Sequence, residues 1–177
     1  MNTSIKVIDD VVSVAYQDNI EEIFSSLYWK FLDGVTHKDS ENDPNTGFTN
    51  TIYHSRDEIR KPETVDFLIP LLYEAINKYD KGKTFRELYR IRAVMWIKNQ
   101  NEGVHLPHCD LSCEHHTMVY YVHDTDAPTR LYRNGKVFKE VHPKKGRVLI
   151  FPGNIEHSSS SPTKTNRRMV LNFNFLL

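Results

Sequence analysis

Apolar residues recur along the chain with two different periods, and the change of period divides it. Between Asp18 and Leu32, the residues Ile20, Ile23, Phe24, Leu27 and Phe31 follow helical spacing. Asp18 stands where a helix cap is wanted, Glu21 three residues later completes a capping box, and Gly34 supplies a stop. A second helix is predicted within 63–79, with Leu68, Leu71, Leu72, Ala75, Ile76 and Tyr79 as its stripe. Pro70 there marks either a kink or the first turn. From about residue 89 the period drops to two. Strands are predicted at 89–98 (YRIRAVMWIK), 116–123 (HTMVYYVH), 147–151 (RVLIF) and 167–175 (RRMVLNFNF). A hairpin over 130–141 turns at Asn134-Gly135, a pair suited to a type I′ turn. In the last strand Met169, Leu171, Phe173 and Phe175 fall on one face, and Arg168, Val170, Asn172 and Asn174 on the other. Residues 5–15 read as a short apolar strand or turn. The polar stretch 33–61, interrupted by a short strand around Phe48–Tyr53, is long for a connection and reads as a lid or binding loop. Helices first and strands after predict one α+β domain over 1–177. Residues 1–80 supply helical support, and 89–177 a sandwich or barrel of strands.

Composition narrows the function. The 177 residues carry 23 Lys and Arg against 23 Asp and Glu, so the chain lacks the broad basic face that phosphate backbones require. That weighs against a nucleic-acid binder. No run approaches a membrane span, and the N-terminus lacks the basic and apolar regions of a secretory signal. The two cysteines, Cys109 and Cys113, are too few for a secreted disulfide framework, so a reducing cytoplasm is expected.

Candidate chemistry concentrates in HLPHCDLSCEHH at 105–116. His108 and Asp110 stand two apart, and on an extended chain they point to the same side. His157, which follows RVLIF and the turn PGN, is the candidate third ligand. Two histidines and one carboxylate on one face of an ion leave the opposite face open, the arrangement of non-haem iron(II) oxygenases. Arg168, on the polar face of the last strand, has the planar fork that grips a carboxylate, and Tyr121 can offer a phenolic hydroxyl to the same anion. Histidine ligands must be neutral, so metal affinity is expected to fall toward and below pH ~6.5. Cys109, Cys113, His115 and His116 form a competing pattern for structural zinc. Against it, Cys109 lies between two strand ligands and should point away from them, and no distant second ligand pair exists. His105 and His116 read as rim or surface residues, and Trp96 as core with Arg90 and Arg92 solvated. KKGR at 144–147 reads as a solvated turn, and the serines at 158–161 as a loop.

In that order, His108-x-Asp110, VYYVHD, KKGRVLIFPGNIEH and RRMVLNFNF resemble the iron(II)- and 2-oxoglutarate-dependent dioxygenases. The likeness is greatest to the prolyl-4-hydroxylase-like branch with its short phage and marine-bacterial forms, and it covers about residues 89–177. It implies a double-stranded β-helix, or jelly roll, backed by N-terminal helices. It implies Fe(II) on His108, Asp110 and His157, and the distal carboxylate of 2-oxoglutarate on Arg168 with help from Tyr121. With O2 as oxidant, the implied reaction hydroxylates a C–H bond of a peptidyl (prolyl included) or small-molecule substrate and releases succinate and CO2. Arg167 competes with Arg168; Arg168 is preferred because it lies opposite the face that should pack on the helices. The Gly-Gly-Thr segment common after the Tyr-rich strand is absent, and HDTDAPTRLY stands in its place. A carboxylate at Asp110 speaks against halogenation, where a halide takes that position. The alternative is a jelly-roll module without catalysis, or one that holds zinc.

Overall fold

The computed structural model describes residues 4–33, 46–57, 59–100 and 103–177. Helix α1 spans Val14–Ser26 and starts before the predicted cap. Ser13 caps it instead, its hydroxyl accepting from the Tyr16 N–H at 3.4 Å. Asp18 and Glu21 are drawn elsewhere: both reach Lys145, at 2.7 and 2.6 Å. The helix ends at Ser26, and Lys30–Asp33 is strand β2. Phe31, expected in the helical stripe, is accordingly a strand residue and is exposed. Gly34 and the remainder of 34–45 lie outside the described residues, as does Glu58. Of the stretch expected as a lid, Thr46–His54 forms strand β3 and Ile59–Arg60 strand β4.

Helix α2 spans Pro62–Tyr79, with Pro62 in its first turn and Pro70 on its solvent side. Leu68, Leu71, Leu72, Ala75, Ile76 and Tyr79 are all buried, as the spacing predicts. The remaining strands are β1 (Lys6–Ile8), β5 (Glu87–Ile97), β6 (His116–Tyr121), β7 (Thr129–Arg133), β8 (Lys136–Val141), β9 (Val148–Pro152), β10 (His157–Ser158) and β11 (Arg167–Leu176). Asn134 and Gly135 turn the β7–β8 hairpin, both with positive φ (52° and 71°), as a type I′ turn demands.

The strands form two antiparallel sheets. The major sheet runs β1-β9-β6-β11-β5-β3-β2 with β4 beside β3; the minor one runs β10-β7-β8. Single bridges from Val104 to Ser160 and from His108 to His157 lay the 104–108 segment along the free edge of the minor sheet. Ser158 closes β10, and the loop expected over 158–161 begins after it; Ser158, Ser160 and Ser161 are buried along this edge. Two separate apolar cores result. The α-helices pack on the outer face of the major sheet with Ile91, Met118, Tyr120, Leu171, Phe173 and Phe175. Between the sheets lie Val94, Trp96, Val119, Tyr121, Leu149, Phe151 and Val170. This is an α+β jelly roll backed by its N-terminal helices, and β11 is its hinge of chemistry: its odd residues face the helices and its even ones face the other sheet. KKGR at 144–147 is more than a solvated turn. Arg147 grips Asp9 at 2.6 Å and Lys145 holds α1, which ties the N-terminal segment to the β8–β9 connection. No helix among the described residues is long and apolar enough to cross a membrane.

One close approach shapes the inner face. Gly47 pairs with Trp96 across β3 and β5, and a Cβ added to Gly47 would sit 2.1 Å from the indole ring. Gly47→Ala should therefore push the indole aside and destabilise the fold by about 1–3 kcal/mol. A lower urea midpoint together with a shifted tryptophan emission is the expected result.

Candidate functional site

The site begins with two strands that meet at their histidines. The His108 N–H donates to the His157 carbonyl at 3.0 Å, and the His157 N–H donates to the His108 carbonyl at 2.9 Å. Residues that exchange both bonds in an antiparallel pair stand opposite each other with their side chains on one face. The two imidazoles accordingly lie 4.7 Å apart, centroid to centroid. Asp110, two residues beyond His108, completes a cluster whose ligand atoms all lie within 4.8 Å of one another. His157 Nε2 is 3.6 Å from Asp110 Oδ2, and His108 Nε2 is 4.0 Å from Asp110 Oδ1.

The tautomers follow from the backbone. His108 Nδ1 lies 3.2 Å from the Leu106 carbonyl, and His157 Nδ1 lies 3.4 Å from the Ile155 carbonyl. A carbonyl only accepts, so each neutral ring carries its proton on Nδ1 and leaves Nε2 bare toward Asp110. Two bare imidazole nitrogens and one carboxylate suit a divalent transition ion and leave part of its coordination shell open. The donor set thus fits iron(II).

The Asp110 side chain is 1% exposed, and its charge is met from three strands. Arg90 on β5 donates to Oδ1 at 2.6 Å; on β11, Asn172 and Asn174 donate to Oδ2 at 3.1 and 3.0 Å; Thr117 on β6 donates to Oδ2 at 3.3 Å. Burial alone would raise this carboxyl. It is outweighed by His157 when protonated and by Arg90, Arg92 and the Asn174 bond, which hold the group well below the usual carboxylate range. Burial pushes His157 down to about 4; Asp110 opposes that shift, and His108 adds to it. The expectation of proton competition near 6.5 therefore needs correcting at His157, where it is displaced toward 4.

The histidines close one end of a narrow cavity between the sheets, which also reaches Arg92, Thr129, Arg168 and Asn172. Arg168 is 2% exposed. Its Nε donates to the Ala127 carbonyl at 3.0 Å and its Nη2 to Thr129 Oγ1 at 2.8 Å. No carboxylate pairs with it among the described residues, and burial pushes it down to about 10, which leaves it a cation at neutral pH. Arg167, the competing candidate, is exposed at the strand's start. Tyr121 is buried with its ring centroid 5.8 Å from the Arg168 guanidinium. Its hydroxyl is turned to Thr129 Oγ1, at 2.8 Å. Thr129 thus accepts from both neighbours, and its own proton is left to donate into the cavity. Nothing in the local sequence marked Thr129; it sits in the HDTDAPTRLY segment where the family pattern is absent.

The other residues of 105–116 separate. Cys109 is exposed, and both cysteines are free. With Cys113, Pro152 and Asn154 it lines an outer cavity of about 450 Å³ that the triad does not border. His115 is buried and donates from Nδ1 to the Cys113 carbonyl at 2.7 Å. Among the described residues these groups form no metal-holding cluster, so the zinc pattern is not assembled. His105 and His116, expected at the rim, are both buried. His105 contacts Ser159 Oγ at 2.6 Å and packs on Trp96, while His116 stacks on Phe175 on the helix side of the sheet. Arg90 is likewise not solvated, since it serves Asp110.

No family model matches the chain, and no curated protein matches it. Solved structures do. A 2OG-Fe(II) oxygenase family oxidoreductase from Burkholderia pseudomallei superposes with TM-score 0.74 at 13% identity, over 99% of this chain and 86% of that one. A Trichoplax adhaerens prolyl hydroxylase, solved with a peptide of the hypoxia inducible factor oxygen degradation domain, gives 0.69 at 12% identity over 99% and 84%. A Pseudomonas putida prolyl-4-hydroxylase gives 0.63 at 11% over 99% and 93%. The fold is therefore that of the 2-oxoglutarate- and iron(II)-dependent oxygenases, prolyl hydroxylases among them. In this chain it carries a His-Asp-His triad with metal-binding geometry.

Acidification should expose the His157 shift in the metal-free protein. Unfolded, this imidazole takes its proton near 6.5; folded, only near 4. Between those values the unfolded chain holds the extra proton, so stability falls as pH drops from 6.5 to 4; the His157 share is then complete, and Asp110, held low in the fold, continues the loss at more acid pH. The His157 share is on the order of 3 kcal/mol. Urea unfolding across this range should show the slope in the native chain and a flatter profile in His157→Gln.

Proposed function

We propose that the protein is an iron(II)- and 2-oxoglutarate-dependent dioxygenase that hydroxylates a C–H bond of a peptidyl or small-molecule substrate. One observation carries this reading: a single cavity is lined both by His108 and His157 of the His-Asp-His cluster and by a buried arginine that has no acidic partner among the described residues. A buried guanidinium is costly without an anion, and a dicarboxylate that also chelates the metal would supply one. In this reading His108, Asp110 and His157 are the metal ligands, and Arg168 with Thr129 receives the distal carboxylate. Tyr121 acts through Thr129, fixing its hydroxyl so that its proton points at the anion.

When bound, iron(II) and 2-oxoglutarate together supply the activation of O2, whose two atoms end in the hydroxylated substrate and in succinate as CO2 leaves. The chain's own contributions are positional. The paired backbone of His108 and His157 sets the spacing of two ligands, and the Arg90 bridge keeps Asp110 ionised and oriented. Val94, Val119 and Val170 line the passage between triad and Arg168 and keep water from it. A peptidyl substrate is supported by the similar fold of the Trichoplax prolyl hydroxylase, which was solved with a peptide.

Metal-free protein titrated anaerobically with Fe(II) and then 2-oxoglutarate should develop a visible charge-transfer band. His108→Ala should abolish it. Arg168→Ala should spare iron binding and weaken 2-oxoglutarate by roughly 10- to 100-fold, the worth of a charge-assisted pair. A band that stays absent when metal-free protein is given excess Fe(II) and 2-oxoglutarate, or an Arg168→Ala protein that binds 2-oxoglutarate normally, would overturn the proposal in favour of a non-catalytic module. Thr129→Val removes one neutral donor and should weaken 2-oxoglutarate about tenfold in the same titration.

A further inference from the structure

The inner face of β5 presents Arg90, Arg92, Val94 and Trp96 at alternate positions, and the two arginines have different fates. Arg90 is matched: Asp110 lies 2.6 Å from its Nη2 and Asn174 Oδ1 lies 2.9 Å from its Nε. Arg92, one rung further in, is half-buried and makes neither a side-chain hydrogen bond nor an ion pair among the described residues. Its Nε is sealed from solvent without a partner, while the side chain borders the cavity beside His108 and His157. Its rung partner on β11 is Asn172, whose Oδ1 is also buried without a partner because its amide is turned to Asp110.

The charges around the cavity do not balance. Arg90, Arg92 and Arg168 stand against one carboxylate, Asp110; Arg90 with the Asn172 and Asn174 amides takes its hydrogen bonds, and Arg92 interacts with it only through space. Iron(II) and dianionic 2-oxoglutarate would cancel each other, so loading the site leaves the surplus in place. A neutral or cationic substrate would close over Arg92 and strand a desolvated guanidinium beneath it. An acid group would meet it with two parallel hydrogen bonds. Arg92 and Arg168 are also separate positions: their rung partners on β5 and β11 place them four residues apart along the sheet, about 13 Å of backbone.

We propose that Arg92 is the substrate-anchoring residue of the site, and that the primary substrate carries a free carboxylate which Arg92 receives beside the triad. This deepens the oxygenase reading and rests on it. The substrate class is then a small carboxylic acid, or a peptide whose acid group lies within reach of the oxidised carbon. Arg92 selects it by charge, and the cavity's valines select its apolar part.

Propionate is the minimal probe, with propionamide as its uncharged counterpart. Both are titrated calorimetrically, without oxygen, into protein saturated with Fe(II) and 2-oxoglutarate, so that Arg168 is already occupied. Propionate should bind, and propionamide at least about tenfold more weakly. Arg92→Gln should weaken propionate at least about tenfold while leaving the 2-oxoglutarate affinity within about twofold. Arg92→Lys, which keeps the cation but not the fork, should recover part of the loss and guards against a folding defect. Circular dichroism of each variant checks the fold. Three results would overturn the proposal: propionate and propionamide binding alike, no propionate binding up to about 100 mM, or Arg92→Gln weakening 2-oxoglutarate as strongly as Arg168→Gln does. The last would assign Arg92 to the co-substrate. Failure of the oxygenase reading itself is seen separately, as a missing charge-transfer band before any propionate is added.

Discussion

A carboxylate shut between two sheets has to be compensated, and the way Asp110 is compensated organises the interior. Its partners come from β5, β6 and β11, three adjacent strands of the major sheet. Remove Arg90 and the buried carboxylate loses its ion-pair partner and keeps only neutral hydrogen-bond donors; breaking a buried pair in this way typically costs about 3–5 kcal/mol. The requirement explains why strands that are otherwise apolar carry Thr117, Asn172 and Asn174 on their inner faces. It also explains how a turn of irregular backbone can present a carboxylate with little freedom: the group is held by the sheet, although the residue belongs to the connection.

The helical layer takes no part in this chemistry, yet the chemistry depends on it. Met169, Leu171, Phe173 and Phe175 bury one side of β11 against the helices. Strand register has a period of two, so anchoring those side chains commits Arg168, Val170, Asn172 and Asn174 to the opposite side. One strand therefore couples the stability of the apolar core to the placement of polar groups in the cavity.

Much of this was legible from periodicity. The alternation in RRMVLNFNF separates core from cavity without any structure, and the His-x-Asp spacing together with His157 foretells the cluster. Asn134-Gly135 foretells the hairpin. What escaped depended on partners far away in the chain. Asp18 and Glu21 look like a capping box, but Lys145, more than a hundred residues on, takes both. Phe31 fits a helical stripe by spacing, but pairing with β3 makes it a strand residue. Arg90 looks solvated until Asp110 is folded against it. His105 and His116 look like surface groups because polar residue type is a poor guide to burial wherever serine hydroxyls and aromatic rings can receive an imidazole. Thr129 matters only through two hydrogen bonds converging on its oxygen, a fact of geometry that no residue pattern encodes.

The two backbone bonds exchanged between His108 and His157 join main-chain atoms, so an ion is not needed to make them. Their Nε2 atoms are therefore set at their spacing in advance, and little ordering remains for an arriving ion to bring about. Preset nitrogen and oxygen donors take first-row ions in order of intrinsic affinity, in which copper and zinc stand ahead of iron. Donor type alone therefore does not select iron over zinc or copper. The choice passes to the surroundings, to which ion is abundant and unclaimed when the chain folds. If iron is the ion the cluster holds, zinc starvation or iron surplus would then change how much of the protein carries it, with no change in the protein itself.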